Sequence, residues 1–194
     1  MSDDLLIENE RLRQENELLR NENRALRDMA YIDDLTGLPN RRSFWERYRE
    51  RWSELKRFSD VNLCVAFFDV DNFKSFNTKG GHQEGDRVLR DIGRAIRHVR
   101  GYDVFARYGG EEFAGLLYRV DKETGLVIVE RIRQSVERLG YGPTVTIGIA
   151  GYREDEPRTP DNLVNMANLA MRAGKASGKN RVVAYTPELW TRFK

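Results

Sequence analysis

The sequence predicts an α+β fold: a sandwich with a mainly antiparallel central sheet flanked by helices, and a separate coiled-coil helix in front of it. Three observations predict this. Leucines recur at every seventh position near the N-terminus and then stop. Beyond them, short apolar runs of strand length alternate with segments whose apolar residues fall three and four apart, the spacing of one helical face. Two strand-like runs, 103–108 and 113–118, are joined through Gly109-Gly110, which reads as a hairpin turn where glycine permits positive φ and leaves bare backbone for a ligand.

Residues 1–32 read as a dimerisation helix and 33–194 as one globular domain. Leu5, Leu12, Leu19 and Leu26 take the d positions of a heptad, and Asn9, Asn16, Asn23 and then Ala30 the a positions. Glu8, Glu15 and Glu22 fall at g and Arg13, Arg20 and Arg27 at e, the offset that joins unlike charges across two parallel chains. A single charged helix has no reason to keep that register, so a homodimer through this helix is expected. Asparagines in the seam fix register and a two-stranded state but cost stability, so the zipper should be weak.

The seam stops at Asp33-Asp34, and 35–40, with Gly37 and Pro39, is a break. A helix capped by Asn40 or Thr36 follows, with Phe44, Trp45, Tyr48, Trp52 and Leu55 on its apolar face. Val61 to Phe68, interrupted only by Asn62, is a buried strand that delivers Asp69-Val70-Asp71 to its end. Residues 72–85 read as a loop, and the helix after it turns Val88, Leu89, Ile92, Ile96 and Val99 inward and stops near Gly101. After the hairpin, a helix from Thr124 to Leu139 carries Val127, Ile128, Ile132 and Val136 inward, and Thr144 to Ala150 alternates as a strand. Asp161 caps a helix with Leu163, Met166, Ala167, Ala170 and Met171 toward the core, and 181–185 is the final strand.

Composition bounds the chemistry. Lys+Arg 33 against Asp+Glu 31 leaves a net charge of only +2, which argues against a general nucleic-acid coat. The longest apolar run is far too short to span a bilayer, and the N-terminus lacks the basic and apolar regions of a signal peptide, so a soluble, cytoplasmic chain without a membrane partner is expected. Cys64 is the single cysteine, and His82 and His98 are the only histidines, so a metal should be held by oxygen rather than by a Cys/His cluster.

Two adjacent carboxylates, Glu111 and Glu112, follow the hairpin glycines. Alone, Gly-Gly-Glu-Glu is more often a solvated acidic turn, so the argument rests on what else the chain supplies. Asp69 ends a strand that can pair beside the hairpin, so Asp69 and Glu111 can converge on one or two divalent cations of the kind that activate a hydroxyl and stabilise a leaving oxygen in phosphoryl or nucleotidyl transfer. The amides around Asn72, Phe73 and Lys74 can cradle phosphates, and Lys74, Lys175 and Lys179 are candidate triphosphate partners, although the last two equally suit a solvated basic loop. Asn77 and Asp86 offer guanine an amide and an accepting carboxylate. Asp71 reads as a turn or cap acid.

From about Asp34 to Tyr185 the chain resembles the GGDEF domain of diguanylate cyclases, in the GGEEF spelling. Asp34-Leu35-Thr36-Gly37-Leu38-Pro39-Asn40-Arg41-Arg42 resembles the family's opening wedge, Phe68-Asp69-Val70-Asp71-Asn72-Phe73-Lys74 its metal strand, Gly81-His82-Gln83-Glu84-Gly85-Asp86 its base-recognition loop, and Arg107 to Phe113 its namesake hairpin. The resemblance implies a nucleotidyl-cyclase-like palm and two domains face to face. Each would hold one GTP, and the 3′-hydroxyl of each would attack the α-phosphate of the other, giving cyclic di-GMP and two pyrophosphates. It implies Mg²⁺, or Mn²⁺, two per site, held by Asp69, the Val70 carbonyl and Glu111. Glu111 would also be the base, Glu112 a supporting acid, and Lys74 a transition-state partner. Asn77 and Asp86 would read guanine with His82 shaping their loop, Gly109 and Gly110 would lie against substrate, and Lys175 and Lys179 would meet the γ-phosphate.

Two departures stand out. Thr78 replaces a usual Asp, and Lys179 a usual Arg, which keeps the charge but loses the bidentate fork. Arg100-Gly101-Tyr102-Asp103 resembles the family's inhibitory product site, and Arg131 lies where the resemblance places a second arginine for it. A sensor upstream of the paired helices is expected, outside this chain. The competing expectations are a silent receptor that binds cyclic di-GMP or GTP, a GTP-dependent dimeriser, and another nucleotidyl transferase.

Overall fold

Among the described residues five strands, β1 (Leu63–Val70), β2 (Val104–Arg107), β3 (Glu112–Tyr118), β4 (Val145–Gly151) and β5 (Val182–Ala184), form one sheet in the order β2-β3-β1-β4-β5. The computed structural model describes residues 2–97, 101–140 and 142–193. β1 runs antiparallel to both of its neighbours, β2 and β3 form the expected hairpin, and β5 alone joins in parallel, beside β4.

The unbroken apolar run of β1 follows from its central position. Successive side chains of a strand point to opposite faces, so a strand covered on both sides has no polar positions to alternate with. Cys64, Ala66, Phe68 and Val70 enter one core, and Leu63, Val65 and Phe67 enter the other.

The helices are α1 (Ser2–Tyr31), α2 (Arg41–Arg57), α3 (Phe73–Gly80), α4 (His82–Arg97), α5 (Lys122–Glu137), α6 (Tyr152–Asp155), α7 (Pro160–Ala176) and α8 (Pro187–Phe193). On the first face of the sheet lie Val88, Leu89, Ile92 and Ile96 of α4 with Ile128, Val129, Ile132 and Val136 of α5. On the second lie Phe44, Tyr48, Trp52 and Leu55 of α2 with Leu163, Val164, Ala167, Ala170 and Met171 of α7. These are the predicted three- and four-residue stripes, and they make the α+β sandwich.

Several local expectations change. Residues 72–85 are mostly helical: Asn72 in the left-handed region (φ 57) turns the chain into α3, and Gly81 (φ 83) only separates α3 from α4. Thr159 rather than Asp161 caps α7, accepting from the Asn162 amide, with Pro160 in the first turn where its missing N–H costs nothing. Val127 is half exposed, and Val129, buried completely, takes its place facing the sheet. Val99 lies outside the described residues. Asn40 does cap α2, accepting from Ser43 N at 3.0 Å.

α1 leaves the domain with its seam uncovered: Leu5, Leu12, Leu19 and Leu26 are 68%, 46%, 50% and 59% exposed. Its C-terminal end is tied down by Asn40, whose amide donates to Tyr31 O at 2.9 Å and whose Nδ2 donates to Ala30 O at 3.0 Å. Among the described residues no helix is long and apolar enough to cross a membrane.

Candidate active site

The antiparallel register of β1 and β3 sets Asp69 opposite Glu112, and Val70 N donates to Glu111 O at 3.2 Å. The last residues of β1 and the first of the hairpin's second arm therefore bring Asp69, Glu111 and Glu112 to one end of the sheet. Their crowding has an electrostatic signature. Burial, and then the negative charges of Asp69 and Glu111, push the Glu112 carboxyl above its usual range, while Arg41 on α2 pulls it back. Arg41 also lies over the Tyr108 ring at 4.7 Å.

The hairpin closes through Tyr108 N and Gly109 N, which donate to Glu112 O at 2.8 and 3.2 Å. Neither Gly109 nor Gly110 adopts positive φ, contrary to the expectation for this turn. What Gly109 provides is space, since a Cβ there would stand 2.8 Å from Glu112 Oε2, and Gly110 has nothing within 4 Å of the corresponding point. Arg107 braces the tip: Nη2 donates to Gly110 O at 2.8 Å, and Nη1 pairs with Asp33 Oδ2 at 3.1 Å.

These oxygens suit a hard divalent cation. Among the described residues no group of three or more His, Cys, Asp and Glu is arranged to hold a metal. Mg²⁺ does not require one, because it is commonly held by one or two carboxylates and by substrate phosphates. Asp69, the Val70 carbonyl and Glu111 match that donor chemistry.

Lys175, expected beside the γ-phosphate, lies here against the end of β1. Its ammonium pairs with Asp69 Oδ1, lies 2.9 Å from Asp71 Oδ1 and donates to Val70 O at 3.2 Å. Asp71 proves to be an anchor rather than a simple cap. It is 2% exposed and accepts from Thr144 Oγ1 and Thr146 Oγ1, both at 2.7 Å, and from Asn180 N at 2.9 Å. Burial would raise this carboxyl, but the bonds from Thr146, Lys175, Thr144 and Asn180 together hold it below the ordinary Asp range.

Around this anchor the phosphate-binding candidates gather. Asn72 makes no side-chain cap for α3, so the first-turn amides, Phe73 and Lys74 among them, remain donors at a helix N-terminus. Lys179 pairs with Asn72 Oδ1. Lys179 (φ 63) and Asn180 (φ 44) are both left-handed, and α5 clamps that bend: Arg133 Nη1 donates to Asn180 Oδ1 at 2.6 Å, and Asn180 Nδ2 donates to Glu137 Oε1 at 2.6 Å.

Asn77 lies on α3 against Gly85 of α4, beside Asp86, which is half-buried. A Cβ at Gly85 would collide with Asn77 Oδ1, a buried oxygen that has no hydrogen-bond partner among the described residues. An orphaned acceptor of this kind is what a base donor would satisfy. Lys74 and His82 are exposed, on α3 and at the start of α4.

Of the expected product site, Arg100 lies outside the described residues, Asp103 Oδ1 accepts from Tyr118 N at 3.2 Å, and Arg131 is exposed on α5. A cleft of about 800 Å³, lined by Arg51, Glu54, Phe58, Tyr102 and Tyr118 among others, opens on that side rather than at the acid hairpin. Arg41, the anchoring role of Asp71 and the Asn180 clamp escaped the sequence reading. Asp71's place two residues from Asp69, just past the end of β1, was the signal available.

A family model described as "Diguanylate cyclase, GGDEF domain" matches residues 30–181. Diguanylate cyclase DgcM of Escherichia coli K12 is 35% identical over 161 residues, covering 80% of this chain and 38% of that protein. Cyclic di-GMP phosphodiesterase NbdA of Pseudomonas aeruginosa PAO1 is 31% identical over 194 residues, covering 96% of this chain and 24% of that protein. The chain thus spans less than half the length of these curated relatives. Among solved structures, the coiled coil and GGDEF domain of DgcB from Caulobacter crescentus, in complex with c-di-GMP, matches with a TM-score of 0.78 at 31% identity, covering 88% of this chain and 94% of that one.

Proposed function

Because the chain belongs to the diguanylate cyclase GGDEF domain family, we propose that it condenses two GTP into cyclic di-GMP, with release of two pyrophosphates, across a homodimer. The observation that carries this reading is the convergence of Asp69, Glu111 and Glu112 where β1 meets the hairpin. A domain that only binds nucleotide need not keep those acids.

Asp69, the Val70 carbonyl and Glu111 would hold Mg²⁺ or Mn²⁺, two per site, which when bound would supply Lewis acidity and lower the pKa of the attacking hydroxyl. Glu111 takes the proton of the 3′-hydroxyl belonging to the partner domain's GTP. A bond forms from that 3′-oxygen to the α-phosphorus, the bond to the β-phosphate oxygen breaks, and pyrophosphate leaves. Lys74 offsets charge on the transferring phosphoryl oxygens, and Glu112 supports the acid cluster. The first-turn amides of α3 at Phe73 and Lys74, with Asn72 turning the chain into them, bind the triphosphate, and Lys175 and Lys179 meet its γ end. Gly109 and Gly110 leave the hairpin open for the nucleotide, Asn77 and Asp86 read guanine, and His82 borders that reader.

α1 pairs in parallel with its copy and holds two half-sites at high effective concentration. Product inhibition acts through Arg100 and Asp103 with Arg131. The DgcB structure shares with this chain a coiled coil joined to a GGDEF domain, and it was solved in complex with c-di-GMP.

The test is incubation with GTP and Mg²⁺, assaying pyrophosphate and cyclic di-GMP beside Glu111→Ala. We expect both products from the native chain and a loss of about a hundredfold or more in the variant. The second reading is a receptor that binds cyclic di-GMP without making it. No product at any protein concentration, with cyclic di-GMP still bound, establishes the receptor instead.

A further inference from the structure

The ammonium of Lys175, at the C-terminal end of α7, lies against three oxygens of the metal strand: Asp69 Oδ1, Asp71 Oδ1 and the Val70 carbonyl. Two of these three, Asp69 and Val70 O, are the oxygens proposed above to hold the divalent cation. An ammonium and a hard divalent cation seek the same ligands, and one oxygen lone pair does not serve both at full strength.

Lys175 is held there by the fold. Its side chain is 21% exposed, and Asp71, at 2%, is fixed in turn by Thr144, Thr146 and the Asn180 amide. A cation near a helix C-terminus is further favoured by the helix dipole. Lys179, just beyond the end of α7, offers the contrast, since it carries the same charge but pairs with Asn72.

We propose that Lys175 is an internal counter-ion of the metal strand and competes with the divalent cation for Asp69 and the Val70 carbonyl. The nucleotide-free chain then binds metal weakly. A triphosphate draws the ammonium onto its own oxygens, still tethered by Asp71, and frees the two ligands. Metal and triphosphate affinities are thereby coupled, and by linkage each strengthens the other. Lys175 thus has two partners in turn, first the metal strand and then the phosphate. The inference rests on Asp69 and Val70 being metal ligands.

The test is Mn²⁺ binding to the nucleotide-free full chain, read as loss of the free Mn²⁺ signal by electron paramagnetic resonance and by calorimetry. The chains compared are the native protein, Lys175→Met, Lys179→Met and Asp69→Asn. Removing the competing charge in Lys175→Met is expected to tighten Mn²⁺ on the order of tenfold. Lys179→Met should stay within about twofold of native, because its charge does not contact the ligands. Asp69→Asn should abolish binding. Unchanged or weaker Mn²⁺ affinity in Lys175→Met overturns the counter-ion role, as does equal tightening in Lys179→Met, which signals general charge alone. Undiminished Mn²⁺ binding in Asp69→Asn instead overturns the metal-site reading beneath it. Should Lys175→Met fail to fold, Lys175→Gln, which keeps a donor for buried Asp71 while removing the charge, decides by the same criteria.

Discussion

Gly85 illustrates how an absent side chain can specify recognition. Without a Cβ it lets α3 and α4 approach until Asn77 Oδ1 is buried against it. A buried acceptor left unpaired costs about 1–3 kcal/mol, so the close packing of α3 on α4 holds Asn77 there, with its amide N–H as the group proposed to donate to guanine. Gly85→Ala should displace Asn77, weaken GTP binding about tenfold and flatten any preference for GTP over ATP, as measured by calorimetry with both nucleotides. Helix propensity alone favours alanine there by about 1 kcal/mol, so misfolding is not the expected cause. Unchanged GTP affinity in a folded variant would remove Asn77 from the guanine-reading role. Asp71 shows the complementary case, a carboxylate whose chemistry is satisfied inside the protein and whose task is to hold Lys175 and Asn180.

At the scale of elements, α5 joins the sheet to the phosphate bend. Its inward stripe packs on β1 and β4, and its last turns hold Asn180 through Arg133 and Glu137. Its beginning is set by Asp121, whose Oδ1 accepts from Thr124 N at 2.7 Å. Hydrogen bonds from Thr124 hold the Asp121 carboxyl below its usual range. A lowered carboxylate stabilises fully above its unfolded pKa and loses that contribution as pH falls through the folded value. Asp121→Ala should therefore lower the melting temperature at neutral pH, with the gap from native narrowing in acid below the ordinary Asp range. Melting curves across pH check this, and a gap that widens in acid contradicts it. The expected start at Thr124 erred by a few residues because the cap, not the first apolar residue, sets a helix boundary.

For the whole molecule, the uncovered leucines of α1 and the acids at one end of the sheet fit the second copy proposed above. One domain carries one set of acids, and the proposed reaction joins two nucleotides. The end of α1 also reaches the hairpin through short contacts: Asn40 holds Ala30 and Tyr31, and Asp33 holds Arg107, which holds Gly110 O. Deleting residues 1–27 keeps those contacts and removes the seam. Specific activity of the shortened chain should then reach its plateau only at higher protein concentration than the native chain's, with sedimentation tracking the dimer. Equal specific activity at high dilution would show that α1 does not assemble the site.

By itself the sequence determined the sheet's central strand, the hairpin, the helical stripes on both faces and the residues at the acid end, Asp69, Glu111 and Glu112. These are written in short-range periodicity and in motifs whose members are near neighbours, so the chain's local preferences and its fold agree. Only the tertiary structure decided that β5 lies parallel, that 73–80 is helix, that Val129 and not Val127 faces the core, and that Asp71 is a buried anchor. It also decided that Lys175 meets the metal strand rather than solvent, and that Asn180 is clamped from α5. Apart from the 73–80 helix, which turns on the local left-handed bend at Asn72, those depend on partners far apart in the chain, where packing and the pairing of buried charge outweigh any local preference.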